Sequence, residues 1–380
     1  MQGGQTTTYA YDQAGNLRKV NQGIQTREFE YSSAGLLTWT KTPERQEERH
    51  QYDPKGRLQS STDANNTTVT TSYDALDRPI SIGSGGSLIA YSYYGGTGCK
   101  QGELATVSYN RHFYNHDDYD CLGRVVQAPQ TTSGDAARIM RYTYLLNDGA
   151  ATFQYPGGRL VTYTHDDAGR PTNLASAGVD YVTTSGLPTS DKAYTPHGAL
   201  AKRKLGSGVW ENLQFDGALR LKALDVGAVP GTRSIFGLDY TFEQNGNVKS
   251  QSIADFTPSV ARMQIYGYDA ANRLASMTED GSAVGQNFNY DPYGNLAATG
   301  TGTTDMPATL SLYDPLTNRF TPGNYEHNAD GSLKRNRSWG YEYDWAGQLT
   351  RVTQDMSPDA QMQQALWRES VTSMMARAGR

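Results

Sequence analysis

The stretch "NFNYDPYGNLAAT", Asn287 to Thr299, decides the fold, and a shorter form of it, "YDQAGNL", already stands at Tyr11 to Leu17. Before the aspartate the residues alternate, as in Phe288-Asn289-Tyr290 or Tyr266-Gly267-Tyr268. A period of two places both aromatics on one face of a strand. Asp291-Pro292-Tyr293-Gly294 then has Asp first, Pro second and Gly fourth, the order a type I turn favours, and Asp53-Pro54-Lys55-Gly56 repeats it. The carboxylate can accept a backbone N–H two residues on. Glycine supplies the positive φ that closes such a hairpin with a bulge. Asn272 tolerates that conformation at the same position, and Leu219 does so poorly. The next Leu or Val begins the return strand. Each copy therefore reads as one β-hairpin, which is marginal alone in water and must pair with its neighbour.

The copies run the length of the chain, and such self-similarity marks a repeat architecture. They are "YDQAGNL" at Tyr11, "YSSAGLL" at Tyr31, "YDPKGRL" at Tyr52, "YDALDRP" at Tyr73 and "YDCLGRV" at Tyr119. "HDDAGRP" at His165, "YTPHGAL" at Tyr194, "FDGALRL" at Phe215 and "FEQNGNV" at Phe242 follow. The last are "YDAANRL" at Tyr268, "YDPYGNL" at Tyr290, "HNADGSL" at His327 and "YDWAGQL" at Tyr343, while "YDPLTNRF" at Tyr313 reads as a copy with one residue inserted. The first four lie 20, 21 and 21 residues apart; some later gaps are near double, as if a degenerate copy lay between. The residues carrying this reading are Tyr11, Asp12, Gly15, Tyr52, Asp53, Gly56, Tyr119, Asp120, Gly123, Tyr290, Asp291, Gly294, Tyr343, Asp344 and Gly347, in structural roles.

Composition agrees. Only 37% of the 380 residues are hydrophobic and mean hydropathy is −0.66, so no oily core of Leu and Val is expected. Tyrosine is in excess, 26 against 9 Phe and 5 Trp, beside 40 Gly, a mixture that suits strands and tight turns. A net charge of −5 without a basic stripe argues against nucleic-acid binding. No run reaches the length of a membrane span, and the start "MQGGQTTTYAYD" has no signal-peptide pattern. Cys99 and Cys121 make neither a disulfide framework nor a zinc site; two free thiols are the expectation, with a single bridge the alternative.

Tyr-Asp-x-x-Gly-Arg/Asn-Leu at about 21-residue spacing resembles the Rhs/YD-repeat family from about residue 8 to 352, and Gln154 to Leu174, "QYPGGRLVTYTHDDAGRPTNL", looks especially like it. That family includes bacterial polymorphic toxins, the C component of insecticidal toxin complexes, and teneurins. The resemblance implies an all-β fold: YD-repeat hairpins joined in a long, curved or spiralling antiparallel sheet, part of a hollow shell that in bacteria encloses a toxic C-terminal domain. The family's closing Asp-Pro-x-Gly-Leu segment, where the chain cuts itself, has no counterpart. Asp53-Pro54-Lys55-Gly56 and Asp291-Pro292-Tyr293-Gly294 are followed by Arg57 and Asn295 and read as repeat turns, so self-cleavage is not expected. The chain is several times shorter than a full shell and reads as a piece of one, or as an open or compact relative.

Two parts are expected: a repeat sheet over 1–354 and a helical tail over 355–380. In the tail Ser357 can cap, Pro358 fits the first helical position, and Met362, Leu366, Val371 and Met374 share a face, which predicts a short C-terminal helix over about 359–376. The Gly/Ser/Thr-rich stretches 81–87 and 299–309 read as loops rather than domain linkers, since the repeat resumes after each.

Candidate chemistry is sparse. In "RHFYNHDDYD" (Arg111 to Asp120) a strand would put His112, His116 and Asp118 on one face, a set able to bind a divalent metal or do acid–base work. Residues four apart on a strand are about 13 Å apart, so one metal would need the strand to bend. The competing reading is a solvated face leading into the Asp120 turn. His165, His197 and His327 belong to repeat copies, and His50 precedes one. No nucleophile elbow, phosphate loop or His-Glu-x-x-His is present, and no cofactor or metal is implied. The sequons at Asn65, Asn66 and Asn336 carry little weight without a secretion signal.

The leading reading is a non-enzymatic scaffold, part of an Rhs-type shell enclosing or presenting a toxin polypeptide. Its partners would be a toxin or effector polypeptide or the missing parts of a larger shell, with self-association through open sheet edges. The resemblance implies a bacterial protein, secreted or delivered by a secretion system within a larger product. Two rivals stand beside it. A carbohydrate-binding or adhesion module would take glycans on exposed aromatics. A hydrolase built on the repeat would show convergent acids, near His112 to Asp118.

Overall fold

A computed structural model describes residues 6–188, 191–256, 259–279, 285–303, 306–323, 325–336 and 339–354. The helix expected over 359–376 lies outside the described residues. Among the described residues the fold is nearly all β: a 27-stranded sheet, a four-stranded sheet of Glu326–His327, Leu333–Asn336, Trp339–Tyr343 and Leu349–Gln354, and a 3-10 turn, Leu310–Leu312. Strands adjacent in sequence pair antiparallel. Gln46–Tyr52, for example, pairs with Leu37–Thr42 on one side and Leu58–Thr62 on the other. One departure comes at the histidine-rich stretch, where His112–Asn115 and Asp118–Tyr119 are separate short strands that both pair with Val125–Thr132.

The turns share one geometry. At Asp53 the backbone N–H donates to the Arg57 carbonyl and the Gly56 N–H donates to the Asp53 carbonyl. The strand register slips by one between Gln51 and Tyr52, where the chain bulges. The same pair of bonds recurs at Asp12, Ser32, Asp74, Asp120, Asp166, Thr195, Asp216, Glu243, Asp269, Asp291, Asn328 and Asp344. It recurs also at Leu145 and Tyr155, degenerate copies in the long gap between Tyr119 and His165, and at Asp63 and Leu205, the turns at the other ends of hairpins within ordinary spacings. At Asp314 the carbonyl accepts from Asn318, four residues on, at 2.8 Å and from Thr317, three residues on, at 3.3 Å, the mark of the inserted residue in "YDPLTNRF".

Burial is shallow, as the composition requires. The buried apolar residues are Tyr119, Val161, Trp210, Ala223, Ala297 and Ala298, and the largest side chain fully out of solvent is Gln25 at 1% exposure. A half-buried sheet holds through cross-strand pairs rather than a central core.

Among the described residues the chain forms two compact units, one of residues 91–289 and 297–308, the other of 6–90, 290–296 and 309–354. In the first, Cys99 and Cys121 form a disulfide, not the expected free thiols. Spacing could not show this, because Cys99 lies in an insertion loop that the fold lays over the Asp120 turn. The Tyr94 hydroxyl donates to the His116 carbonyl, and Lys100 donates to the Asp117 carbonyl and pairs with Asp118.

In the second unit, late residues dock on the first repeats. The Gln25 amide donates to the Pro315 carbonyl and to Asn318 Oδ1, and Asn318 Nδ2 donates to Gln25 Oε1 (3.1 Å) and Glu44 Oε1 (2.6 Å). Arg319 donates to the Glu44 carbonyl, Gln22 to the Pro292 carbonyl, and the Asp330 N–H to Asn65 Oδ1.

Candidate functional site

The recurring chemistry lies at the joint between repeats. In each full copy one aspartate oxygen accepts two backbone N–H groups, as Asp53 Oδ1 does from Lys55 (2.9 Å) and Arg57 (3.0 Å). The other oxygen accepts the sixth side chain of the motif: Arg57, Arg78, Arg124, Arg170, Arg220 or Arg273 through Nε, and Asn16 or Asn295 through Nδ2. This explains why Arg and Asn alternate there, since both present an N–H to a carboxylate one turn back. The Arg57, Arg124, Arg170 and Arg220 hydrogen bonds hold Asp53, Asp120, Asp166 and Asp216 below the ordinary carboxylate range, as Asn16 does for Asp12.

The tyrosine reaches backward. Its hydroxyl donates to the carbonyl just after the preceding turn: Tyr52 to Leu37, Tyr73 to Leu58, Tyr119 to Leu104, Tyr144 to Val125, Tyr194 to Pro171, Tyr268 to Val248 and Tyr313 to Leu296. Burial pushes the Tyr119, Tyr144, Tyr194, Tyr268 and Tyr313 phenols up, which keeps them protonated donors. The arginine of the earlier turn lies under the same ring, Arg57 at 4.4 Å from the Tyr73 centroid, Arg124 at 4.7 Å from Tyr144 and Arg170 at 4.6 Å from Tyr194. Phe242 has no hydroxyl yet keeps the contact with Arg220 at 4.2 Å. The excess of Tyr over Phe was the visible signal of this hydroxyl; its acceptor, 15 to 23 residues earlier in these pairs, was not. Rings engaged in this way are not free platforms for sugars.

His112, His116 and Asp118 are given separate partners. The chain breaks between Asn115 and Asp118, so no single strand face holds all three. His112 Nδ1 lies 3.1 Å from Thr132 Oγ1, the His116 ring lies 6.2 Å from Tyr119, and Asp118 pairs with Lys100 at 2.9 Å. No group of three metal-ligating side chains occurs among the described residues. His165 and His327 stand in repeat copies and His50 meets Ser61.

One charged cluster had no sequence signal. Arg233 bridges Asp225 and Asp239, and Asp225, 7% exposed, also accepts from Asn212 and Gln214. Gly237 leaves the room: a Cβ there would meet the Arg233 side chain at 2.5 Å. Each carboxylate is paired with the shared Arg233, which marks an internal support rather than a reactive centre. No helix among the described residues is long and apolar enough to cross a membrane.

The comparisons with known proteins agree with this geometry. The Teneurin YD-shell family model matches residues 207–362 and the RHS Repeat family model matches residues 52–93. No curated protein matches the chain. Among solved structures, the chain is similar to the Photorhabdus luminescens Tc holotoxin pore with a mutated TccC3, at 14% identity and a TM-score of 0.72, covering 93% of this chain and 20% of that one. It is also similar to TcdB2-TccC3 without its hypervariable C-terminal region, at 15% identity and a TM-score of 0.69, covering 93% and 22%. The chain thus spans about a fifth of the length of the structures it matches. With its turn chemistry repeated through the sheet, two matching repeat-family models and a shared fold, the chain is similar to the Rhs/YD-repeat family over these residues.

Proposed function

We propose that the chain is a length of wall in an Rhs-type shell that encloses or presents a toxin polypeptide, with no catalysis of its own. The observation that carries this is the joint between repeats. The tyrosine hydroxyl, the stacked arginine and the strand pairs bind each hairpin to the one before, so the recurrent chemistry goes into continuity rather than into a pocket. The fold shared with the TcdB2-TccC3 structures supports the reading. In it, residues 1–354 are wall, residues 355–380 a tail, and the protein is part of a larger bacterial product that is secreted or delivered to a target.

The test uses the full natural gene product. A polypeptide encoded beyond the repeats should resist protease while the repeats are folded, and become sensitive when mild denaturant opens them. Cleavage of the folded product at the rate of the isolated polypeptide would end this reading.

A further inference from the structure

We propose that Gln25, Glu44 and Asn318 form a release latch, which holds the late segment of the second unit on the first repeats and can open while the hairpins on both sides stay folded. Three observations carry it.

The first is placement. Gln25 is the most buried large side chain described, and its partners lie 290 and 293 residues away in sequence. Gln25 and Asn318 exchange amide hydrogen bonds in both directions, so each satisfies the other's buried group. Glu44 accepts from Asn318 and from Arg27, which fixes the carboxylate against the pair.

The second is the irregular copy. In most turns the left-handed corner is glycine, which has no side chain to reach outward. The residue inserted in "YDPLTNRF" makes Asn318 the corner, at φ 57°, and its amide is the plug. Asparagine is the side-chain-bearing residue that adopts this conformation most readily. The one departure from the motif's length thus falls where the chain closes on itself.

The third is the kind of bond at the seam. Its described hydrogen bonds, at Gln22, Ile24, Gln25, Asn65, Asn318 and Arg319, join amides, carbonyls, the Tyr293 hydroxyl, the Glu44 carboxylate and a guanidinium, all groups that water can satisfy. The four-stranded sheet of residues 326–354 is separate from the larger one, so no strand pairing of its own need break. Buried apolar surface would resist opening; polar groups that water accepts resist it less. Use of the seam as an opening in a wall rests on the shell reading, whereas the latch itself does not.

The test is hydrogen exchange on the full chain without cargo. Asn318→Gly keeps the left-handed corner and removes the plug; Asn272→Gly makes the same change at a corner with φ 60° whose amide bonds only Asn245 and Asn247. In Asn318→Gly, amides of 22–26, 44–45 and 328–331 should exchange about tenfold faster, while the hairpins 46–62 and 339–354 keep their rates within about twofold. Asn272→Gly should leave the seam unchanged. Unaltered exchange at the seam in Asn318→Gly would overturn the proposal. So would hairpins that accelerate in step with the seam, since the plug would then belong to the general fold.

Discussion

Leu219 stands at φ 65° in a corner where other copies carry glycine, asparagine or aspartate. An L-residue with a branched side chain is held there at a cost of roughly 1–2 kcal/mol. Leu219 is 57% exposed, so little apolar burial compensates. Leu219→Gly should therefore stabilise the protein by about 0.5–1 kcal/mol, after allowing for glycine's greater freedom when unfolded, read from the urea midpoint. Tyr119 is the opposite case: 8% exposed, it donates to the Leu104 carbonyl at 2.7 Å. Tyr119→Phe keeps the ring and strands that acceptor, a loss of about 1–2 kcal/mol by the same measurement. Arg233→Ala leaves Asp225 buried without its cation and should cost roughly 3 kcal/mol, far more than loss of an exposed pair such as Lys41–Glu47.

At the scale of the hairpin, the aspartates make stability depend on pH. Their side-chain and backbone partners hold Asp53, Asp120, Asp166 and Asp216 below the ordinary value of 3.8. A depressed carboxylate stabilises fully above its unfolded value, and that contribution is lost as pH falls through the folded value. Circular dichroism should thus hold steady at pH 5 and change below about pH 4, with many turns releasing over one narrow range. The Cys99–Cys121 link closes a 22-residue separation and ties the insertion loop to the Asp120 turn. Reduction should lower stability by about 3 kcal/mol through loop entropy and leave the distant turns at Asp216 and Asp269 intact, as hydrogen exchange would report. Much at this scale was legible. Asp, Pro and Gly at fixed offsets define the turn, and alternation defines the strands. The disulfide was not, because loop placement over a turn is a tertiary fact. The break at residues 116–117 was hidden for a related reason: alternation in "HFYNHD" continues through residues that the chain bends away from a single strand.

At the scale of the whole chain, the first and last described strands, Thr7–Tyr11 in the large sheet and Leu349–Gln354 in the small one, each have one partner among the described residues. Both expose apolar side chains, Tyr9 and Tyr11 on the first and Leu349 and Val352 on the second. Such edges template pairing with other chains. Sedimentation should show association that grows with concentration and is reduced by Val352→Lys. The repeat, and hence the all-β order of elements, could be read from the sequence because each copy is local and recurs. The Gln25–Asn318 seam could not, since it joins residues 293 apart through a single corner that looks like an imperfect copy. The same holds for Arg233, whose aspartate partners belong to no motif. Local chemistry repeated many times leaves a statistical trace, whereas a contact made once leaves none.

The backward reach of the tyrosine gives the chain a direction in time. Tyr73 secures Leu58, and Tyr144 secures Val125, each fastening a strand made earlier. On a ribosome that adds about 5–20 residues per second, each hairpin would wait a few seconds for the hydroxyl that fastens it. Assembly then advances as a ratchet, one tooth behind synthesis, and the newest hairpin is always the loose one. The strands around Gln25 wait longest for their final partner, because Asn318 emerges almost 300 residues later. Until then the nascent sheet has a fastened middle, a loose leading end, and an open place reserved near its start.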